Sequence, residues 1–268
     1  MPSENVNILA TPTATRLGPD TAGSVVVCGS HAAIYTTYLT ISAGARAAIH
    51  HDASFGLDRA GVAGLAWCEP FGLAMAAVDA RSARIGDGAD MLQRGVISAA
   101  NRHAAACGVV PGMPCSEAAA RLRAAPLATS SPAPMLETRS VITPPGAHKT
   151  IAMVDSIALA REGDAGAIVV SGSHGGTPSD GYAAKIGMQL VLFNDAGFGA
   201  EYAGIAALPI LQQRGIAAAA VSAFTARIGD GRSTYENGII SAANAAAVEL
   251  GAVVGSPARD FIDALAGR

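Results

Sequence analysis

Most signatures that announce a protein's chemistry are missing from this chain. Charged residues make up 15% and aromatic residues 4% of its 268 positions, and the formal net charge is -3. No run of Lys and Arg and no aromatic-flanked basic patch occurs, so the electrostatic footprint of a nucleic-acid partner is absent. No apolar run reaches bilayer length, and Met1 to Gly23 lacks a basic start followed by an apolar core, so no membrane partner and a cytoplasmic location are expected. Cys28, Cys68, Cys107 and Cys115 show no C-x-x-C spacing, which argues against a disulfide framework or a structural zinc and for reduced, buried thiols. There is no Gly-Lys-Ser/Thr P-loop, no G-x-G-x-x-G and no G-x-S-x-G elbow, so ATP, NAD and an elbow serine are not implied, and no cofactor is expected. His50-His51-Asp52 does not amount to a metal site either, because consecutive strand residues point to opposite faces.

What the chain does have is a repeat of itself. Ser222-Ala-Phe-Thr-Ala-Arg-Ile-Gly-Asp-Gly231 echoes Asp79-Ala-Arg-Ser-Ala-Arg-Ile-Gly-Asp-Gly88. Val26 to Gly112 aligns with Val169 to Gly255 without a gap, and roughly four positions in ten are identical. The match includes Gly29-Ser30-His31 with Gly172-Ser173-His174, Asp52-Ala-Ser-Phe-Gly56 with Asp195-Ala-Gly-Phe-Gly199, and Gly95 and Asn101 with Gly238 and Asn244. Alanine-rich composition alone does not produce that.

Within each copy, short apolar runs stand where buried parallel strands belong: Ser24 to Cys28, Ala45 to His50 and Leu73 to Val78, with twins Ala167 to Ser171, Met188 to Phe193 and the end of the stretch that runs from Gly199 through Gly215 to Val221. Helical stretches separate them, and a long helix carrying Ser98 to Asn101, or Ser241 to Asn244, is expected after Gly88 and Gly231. The fold class is therefore α/β: an internal duplication of two doubly wound, Rossmann-like or flavodoxin-like three-layer domains with parallel sheets, related by a pseudo-two-fold. Expected boundaries are 1–123 for the first repeat, 124–154 for a linker and 155–268 for the second, with an extra helix at Asp155 to Arg161. Met1 to Asp20 reads as a turn-rich surface segment draped over the other domain.

All shared motifs follow a strand and so gather at the carboxyl edge of a sheet, where open α/β folds bind ligands. Gly172-Ser173-His174-Gly175-Gly176 reads as a glycine-rich turn opening a helix, with N–H groups for an anion or oxyanion. The first copy has Ala32 and Ala33 in place of the last two glycines, which makes the second copy the tighter site. His174 and His31 are candidate general bases, and Asp195 and Asp52 their orienting carboxylates. Ser30, Ser173 and Asn194 complete the binding rim. Arg84 and Arg227 supply counter-charge from the Arg-Ile-Gly-Asp-Gly turn, together with Asp87 and Asp230; Arg227 is expected nearer the ligand and Arg84 to be structural. For each of these residues a structural role at a strand end is the competing reading.

The function expected is a cofactor-independent enzyme using His/Asp acid-base chemistry on a small polar metabolite with a carboxylate or amide, a hydrolase ahead of an isomerase. If the two carboxyl edges share one cleft, the layout resembles the amino-acid racemases of the aspartate/glutamate type, although their paired cysteines are missing, since Cys28 corresponds to Ser171. A non-catalytic small-molecule-binding protein or subunit is the other alternative. A small-molecule partner and a homo-oligomer are expected.

Overall fold

The computed structural model describes residues 6–268. The chain divides into two compact units. The first runs to Leu136 without Gly56–Ala60 and takes in Gly199–Glu201; the second takes Gly56–Ala60, Glu137–Phe198 and Tyr202–Arg268. Each is an α/β unit built on one mostly parallel sheet.

The first unit contains β1 (Ile8–Thr11), β2 (Val25–His31), α1 (Ile34–Ser42), β3 (Ala47–His51), α2 (Ala63–Trp67), β4 (Ala74–Val78), α3 (Gly88–Arg94), β5 (Ile97–Ala100), α4 (Arg102–Ala106) and α5 (Cys115–Leu122). Its strands lie in the order β1-β2-β3-β4-β5, parallel except for β5, which runs antiparallel to β4. The side chains alternate between two apolar layers. Val25, Val27 and Ile49 join Met91, Ala118 and Leu122 on one face, while Ala48, Met75 and Ala77 join Ile41, Val62 and Leu65 on the other. Of Met1 to Asp20, residues 1–5 lie outside the described residues; Ile8–Thr11 is a parallel edge strand on β2 of its own sheet.

The second unit contains β6 (Arg139–Ile142), β7 (Ile151–Val154), β8 (Ile168–His174), α6 (Ser179–Ile186), β9 (Leu190–Asn194), α7 (Ala207–Gln213), β10 (Ala217–Val221), α8 (Gly231–Asn237), β11 (Ile240–Ala243), α9 (Ala245–Glu249) and α10 (Ala258–Ala266). The order is β11-β10-β9-β8-β7-β6, with both outer strands antiparallel to their neighbours. Again there are two layers: Ile168, Val170, Leu190 and Leu192 pack with Phe261, Ile262 and Leu265, and Val169, Val191 and Phe193 with Leu208 and Leu211.

Three expectations change. The strand order runs through each sheet without reversing, so the doubly wound order and its switch-point crevice are not found. Residues 124–154 are not all linker, since they include β6 and β7, and only a single turn, Ile157–Leu159, stands where an extra helix was expected. The long helix over Ser98–Asn101 is absent as well. Gly95 is extended, with φ -62° and ψ 147°, and caps α3; a Cβ on it would lie 2.4 Å from the Met91 carbonyl oxygen. The chain then turns out into β5, Ile97 pairing with Val78 and Ala99 with Ala77. Asn101 owes its place to capping rather than helix packing: its Oδ1 accepts from the amides of Ala104 and Met75, and its Nδ2 donates to the Leu73 carbonyl. Asn244 makes the same three bonds, to Ala247, Ala218 and Ile216.

The Arg-Ile-Gly-Asp-Gly turns are explained by packing. Asp87 and Asp230 are the N-caps of α3 and α8, accepting from the amides of Asp90 and Ser233. The glycine after each cap sits against a neighbouring strand: a Cβ on Gly231 would lie 2.4 Å from the Val154 carbonyl oxygen, and one on Gly88 2.4 Å from that of Thr11. Gly231→Ala should therefore cost about 1–3 kcal/mol through overpacking. Gly181→Ala, in α6 with open space around the new methyl, should stabilise by about 0.5–1 kcal/mol. Chemical denaturation of both variants checks this pair.

Candidate functional site at the carboxyl edge of the second sheet

The register brings the chemistry-bearing residues of the second unit to one rim. Val154 pairs with Ser171 and His174 with Asn194, while Val221 pairs with Asn194 on the other side. Asp155, His174 and Asp195 thus stand at the ends of three adjacent parallel strands. Because β6 is antiparallel and begins opposite Val154, the residues before it, Glu137 and Thr138, join the same rim.

The predicted glycine cradle is already occupied by the protein itself. The Ser173 amide donates to Ser171 Oγ, Gly175 to the Asn194 carbonyl and Gly176 to His174 Nδ1. A Cβ on Gly172 would lie 2.3 Å from the Asp230 amide nitrogen; this glycine admits the 229–231 turn, whose Gly229 amide donates to the Gly172 carbonyl. Gly29 admits the 86–88 turn in the same way. No helix begins at Gly176, since α6 starts at Ser179. Of the amides expected to bind an anion, those of Ser173, Gly175 and Gly176 are engaged within the protein.

Ser173 and Ser30 are likewise engaged, accepting the Ile157 and Ala14 amides at 3.0 Å. Asn194 is fully buried, donating from Nδ2 to the Ala226 carbonyl at 3.0 Å and accepting the Ala196 amide at 2.9 Å. His51 holds the corresponding place in the first unit, with Nε2 on the Ala83 carbonyl and Nδ1 accepting the Ala53 amide. Burial pulls the His51 pKa down to about 4, and that of His50, which bonds Thr40 and the His31 carbonyl, to about 4 as well. These two rings are neutral struts.

Asp195 is almost fully buried, and its Oδ1 accepts from the Gly197 and Ala223 amides, both at 2.8 Å. Asp52 Oδ1 accepts from Ser54 and Ala80, and burial raises the Asp52 pKa against the opposing pull of its hydrogen bonds. Each aspartate pins an unusual turn. Ala53, Ser54, Phe55 and Gly56 all have φ between 47° and 66°, and Ala196 to Gly199 between 49° and 74°. For a non-glycine residue that conformation costs about 1–2 kcal/mol, so the carboxylate bonds offset a real strain. The carboxylate of Asp195, expected to orient His174, holds backbone through the Gly197 and Ala223 amides.

His31 and His174 are both buried, at 8% exposure. Since His174 Nδ1 accepts the Gly176 amide at 3.1 Å, the neutral ring carries its proton on Nε2. That tautomer leaves Nε2 as the ring's donor, with Nδ1 committed to the Gly176 amide.

The two arginines differ. Arg84 meets three carboxylates within the first unit, Asp87 and Asp90 at 3.0 Å and Glu201 at 2.9 Å, and Arg94 ties Asp90 and Glu201 into the same network. In the second unit Arg227 pairs with Asp58, its Nε at 2.7 Å from Oδ2, and its side chain remains 48% exposed. Asp230 is an N-cap. Arg84 is thus embedded in an ion-pair network, and Arg227 keeps a face to solvent.

Two rim residues were not singled out from the sequence. Glu137 is pushed up to about 7, first by burial and then by the neighbouring Asp155 charge. Asp155, raised by burial and by Asp230, accepts the Thr138 amide at 2.7 Å and the Gly231 amide at 3.3 Å. Asp155 follows Val154, which pairs with Ser171, as Pro12 follows Thr11, which pairs with Cys28, so a carboxylate stands where the first unit has none. Among the described residues no group of His, Cys, Asp and Glu side chains is arranged to hold a metal ion, and no helix is long and apolar enough to cross a membrane.

The histidine struts generate a pH-dependent prediction. A folded-state pKa below the unfolded value of about 6.5 contributes stability that is present above that value and lost as pH falls through about 4. His51→Asn places in the first unit the residue that Asn194 is in the second, with an equivalent donor and acceptor. The variant should remain folded at pH 7 and lose less melting temperature than the parent between pH 6.5 and 4, as thermal scans across that range will show.

Comparison with protein-family models, curated proteins and solved structures yields no match for this chain.

Proposed function

We propose that the protein is an enzyme performing cofactor-independent acid-base chemistry on a small polar metabolite with an amide or carboxylate, at the carboxyl edge of the second sheet. Hydrolysis stands ahead of isomerisation. The observation that carries the reading is the gathering on one rim of an imidazole with a defined donor, His174, a carboxyl whose pKa is about 7, Glu137, and a half-exposed guanidinium, Arg227. In this reading Glu137, as carboxylate, takes a proton from water while the water oxygen attacks the carbonyl carbon. The His174 Nε2–H stabilises the charge developing on the carbonyl oxygen, and Glu137 returns its proton to the departing nitrogen or oxygen. Arg227 recognises a substrate carboxylate. Asp195, which both sets the strained turn and packs beside the rim, acts as a positioning residue.

A non-catalytic binding role is the second reading, and one observation favours it: the amides of the glycine turn are committed to internal bonds. The alternative of a racemase-like site shared by two edges draws support only from the repeated motifs. We also infer that the two units arose by duplication of one module, supported by the matching roles of Gly29 and Gly172, Asp87 and Asp230, and Asn101 and Asn244. A cytoplasmic location accords with four unpaired cysteines. The homo-oligomeric state rests on no structural observation and is carried as a proposal to be read by sedimentation.

A panel of small amides, cyclic amides and esters tests the catalytic reading. For the substrate found, kcat/KM should rise with pH through about 7 as Glu137 ionises, and Glu137→Gln should lower kcat by about 10²–10⁴-fold with the fold intact. If Glu137→Gln and His174→Gln change only the affinity of a bound compound, the binding role is the correct one.

A further inference from the structure

The second unit contains a cavity of about 760 Å³ outside the rim, lined by Ser140, Ile142, Met153 and the Thr143–Ala147 turn on one side and by Arg232, Tyr235, Glu236, Arg259 and Asp263 on the other. None of the rim residues Glu137, Asp155, His174, Asp195 or Arg227 lines it. Its volume is that of a small-molecule site. Ser140 pairs with Met153 in the β6-β7 ladder, and the turn beyond is tied down where the His148 amide donates to the Ala266 carbonyl at 2.8 Å. The opposite wall is preset by polar contacts: Tyr235 Oη donates to Asp263 Oδ1 at 2.7 Å, and the Arg259 guanidinium lies 5.4 Å from the Tyr235 ring centroid.

The polar lining is not something this fold requires. At the aligned positions of the first copy stand Ala89, Leu92, Gln93, Ser116 and Ala120 in place of Arg232, Tyr235, Glu236, Arg259 and Asp263. The helices α3 and α5 pack together there without any of those charges. Among the described residues the first sheet has β1 at its edge, whereas in the second sheet β6 and the turn after it extend the wall beyond β7. Two arginines and an aromatic ring thus stand together in the second unit where the first has none of them.

We propose that this cavity binds a small amphipathic carboxylate. Ile142, Pro144, Pro145, Ala147 and Met153 receive its apolar body, and Arg232 and Arg259 bind its anionic group. Each guanidinium has five N–H donors, more than one carboxylate partner uses. Arg232 meets Glu236 at 2.8 Å and Arg259 meets Asp263 at 3.5 Å, with side chains 74% and 58% exposed, so both forks have donors left for a planar anion. Glu236 and Asp263 aim the forks and disfavour ligands of higher negative charge.

Benzoate is the probe and benzamide its neutral isostere. In two-dimensional amide NMR of the whole protein, millimolar benzoate should shift the resonances of Tyr235, Gly146 and Ala147, and benzamide should bind at least about tenfold more weakly. Replacing both arginines, Arg232→Gln with Arg259→Gln, should weaken benzoate by a similar factor at unchanged melting temperature, since both side chains are largely exposed. Inorganic phosphate should bind more weakly than benzoate, having no apolar body. Absence of shifts at these residues, equal binding of benzamide, or undiminished benzoate binding by the double variant would each overturn the proposal.

Discussion

Backbone N–H groups at the end of a buried sheet must find acceptors, because each left unpaired away from water costs about 1–3 kcal/mol. This demand governs the carboxyl edge of both sheets. Asp195 and Asp52 each take two amides on one oxygen, Asn194 and His51 each take one and donate to a carbonyl, and Ser173 and Ser30 each take the first amide of a neighbouring turn. Remove any one of these acceptors and a strained or closely packed turn loses its support. The sharing of these residue types by the two units follows from that demand without reference to a ligand.

Such a rim separates two kinds of polar residue. Those serving backbone are shared or conservatively exchanged between the two units, as Cys28 and Ser171 are, where each sulfur or hydroxyl accepts the amide two residues on. The two carboxyls that burial raises are particular to the second unit: Asp155, which also takes two amides, stands where the first has Pro12, and Glu137 precedes β6. His174 belongs partly to both kinds, its Nδ1 serving Gly176 while the identity of its other nitrogen follows from that bond.

Much of this was legible in the amino-acid order. The apolar runs at Val25–Cys28, Ala74–Val78 and their twins are strands, because a buried parallel strand tolerates little else on either face. The stop after α3 was not legible: Ala-rich stretches such as Ser98-Ala-Ala-Asn101 suit a helix locally, and the antiparallel pairing with β4 that makes them a strand is a tertiary contact. The glycine-rich turn misled for a related reason. Gly172 is required by a backbone approaching from some 57 residues away, at Gly229, and sequence adjacency to a histidine suggested a ligand instead. The pKa of Glu137 was hidden because burial and a charge neighbour both depend on the fold of β6 onto β7.

The bond from the Gly176 amide to His174 Nδ1 leaves the neutral imidazole with its proton on Nε2. Long-range proton–nitrogen correlation spectroscopy of the histidine-labelled protein at neutral pH reads this directly. The account predicts that the His174 ring is neutral with Nε2 protonated and Nδ1 bare. A proton on Nδ1, or a fully protonated ring at that pH, would contradict it.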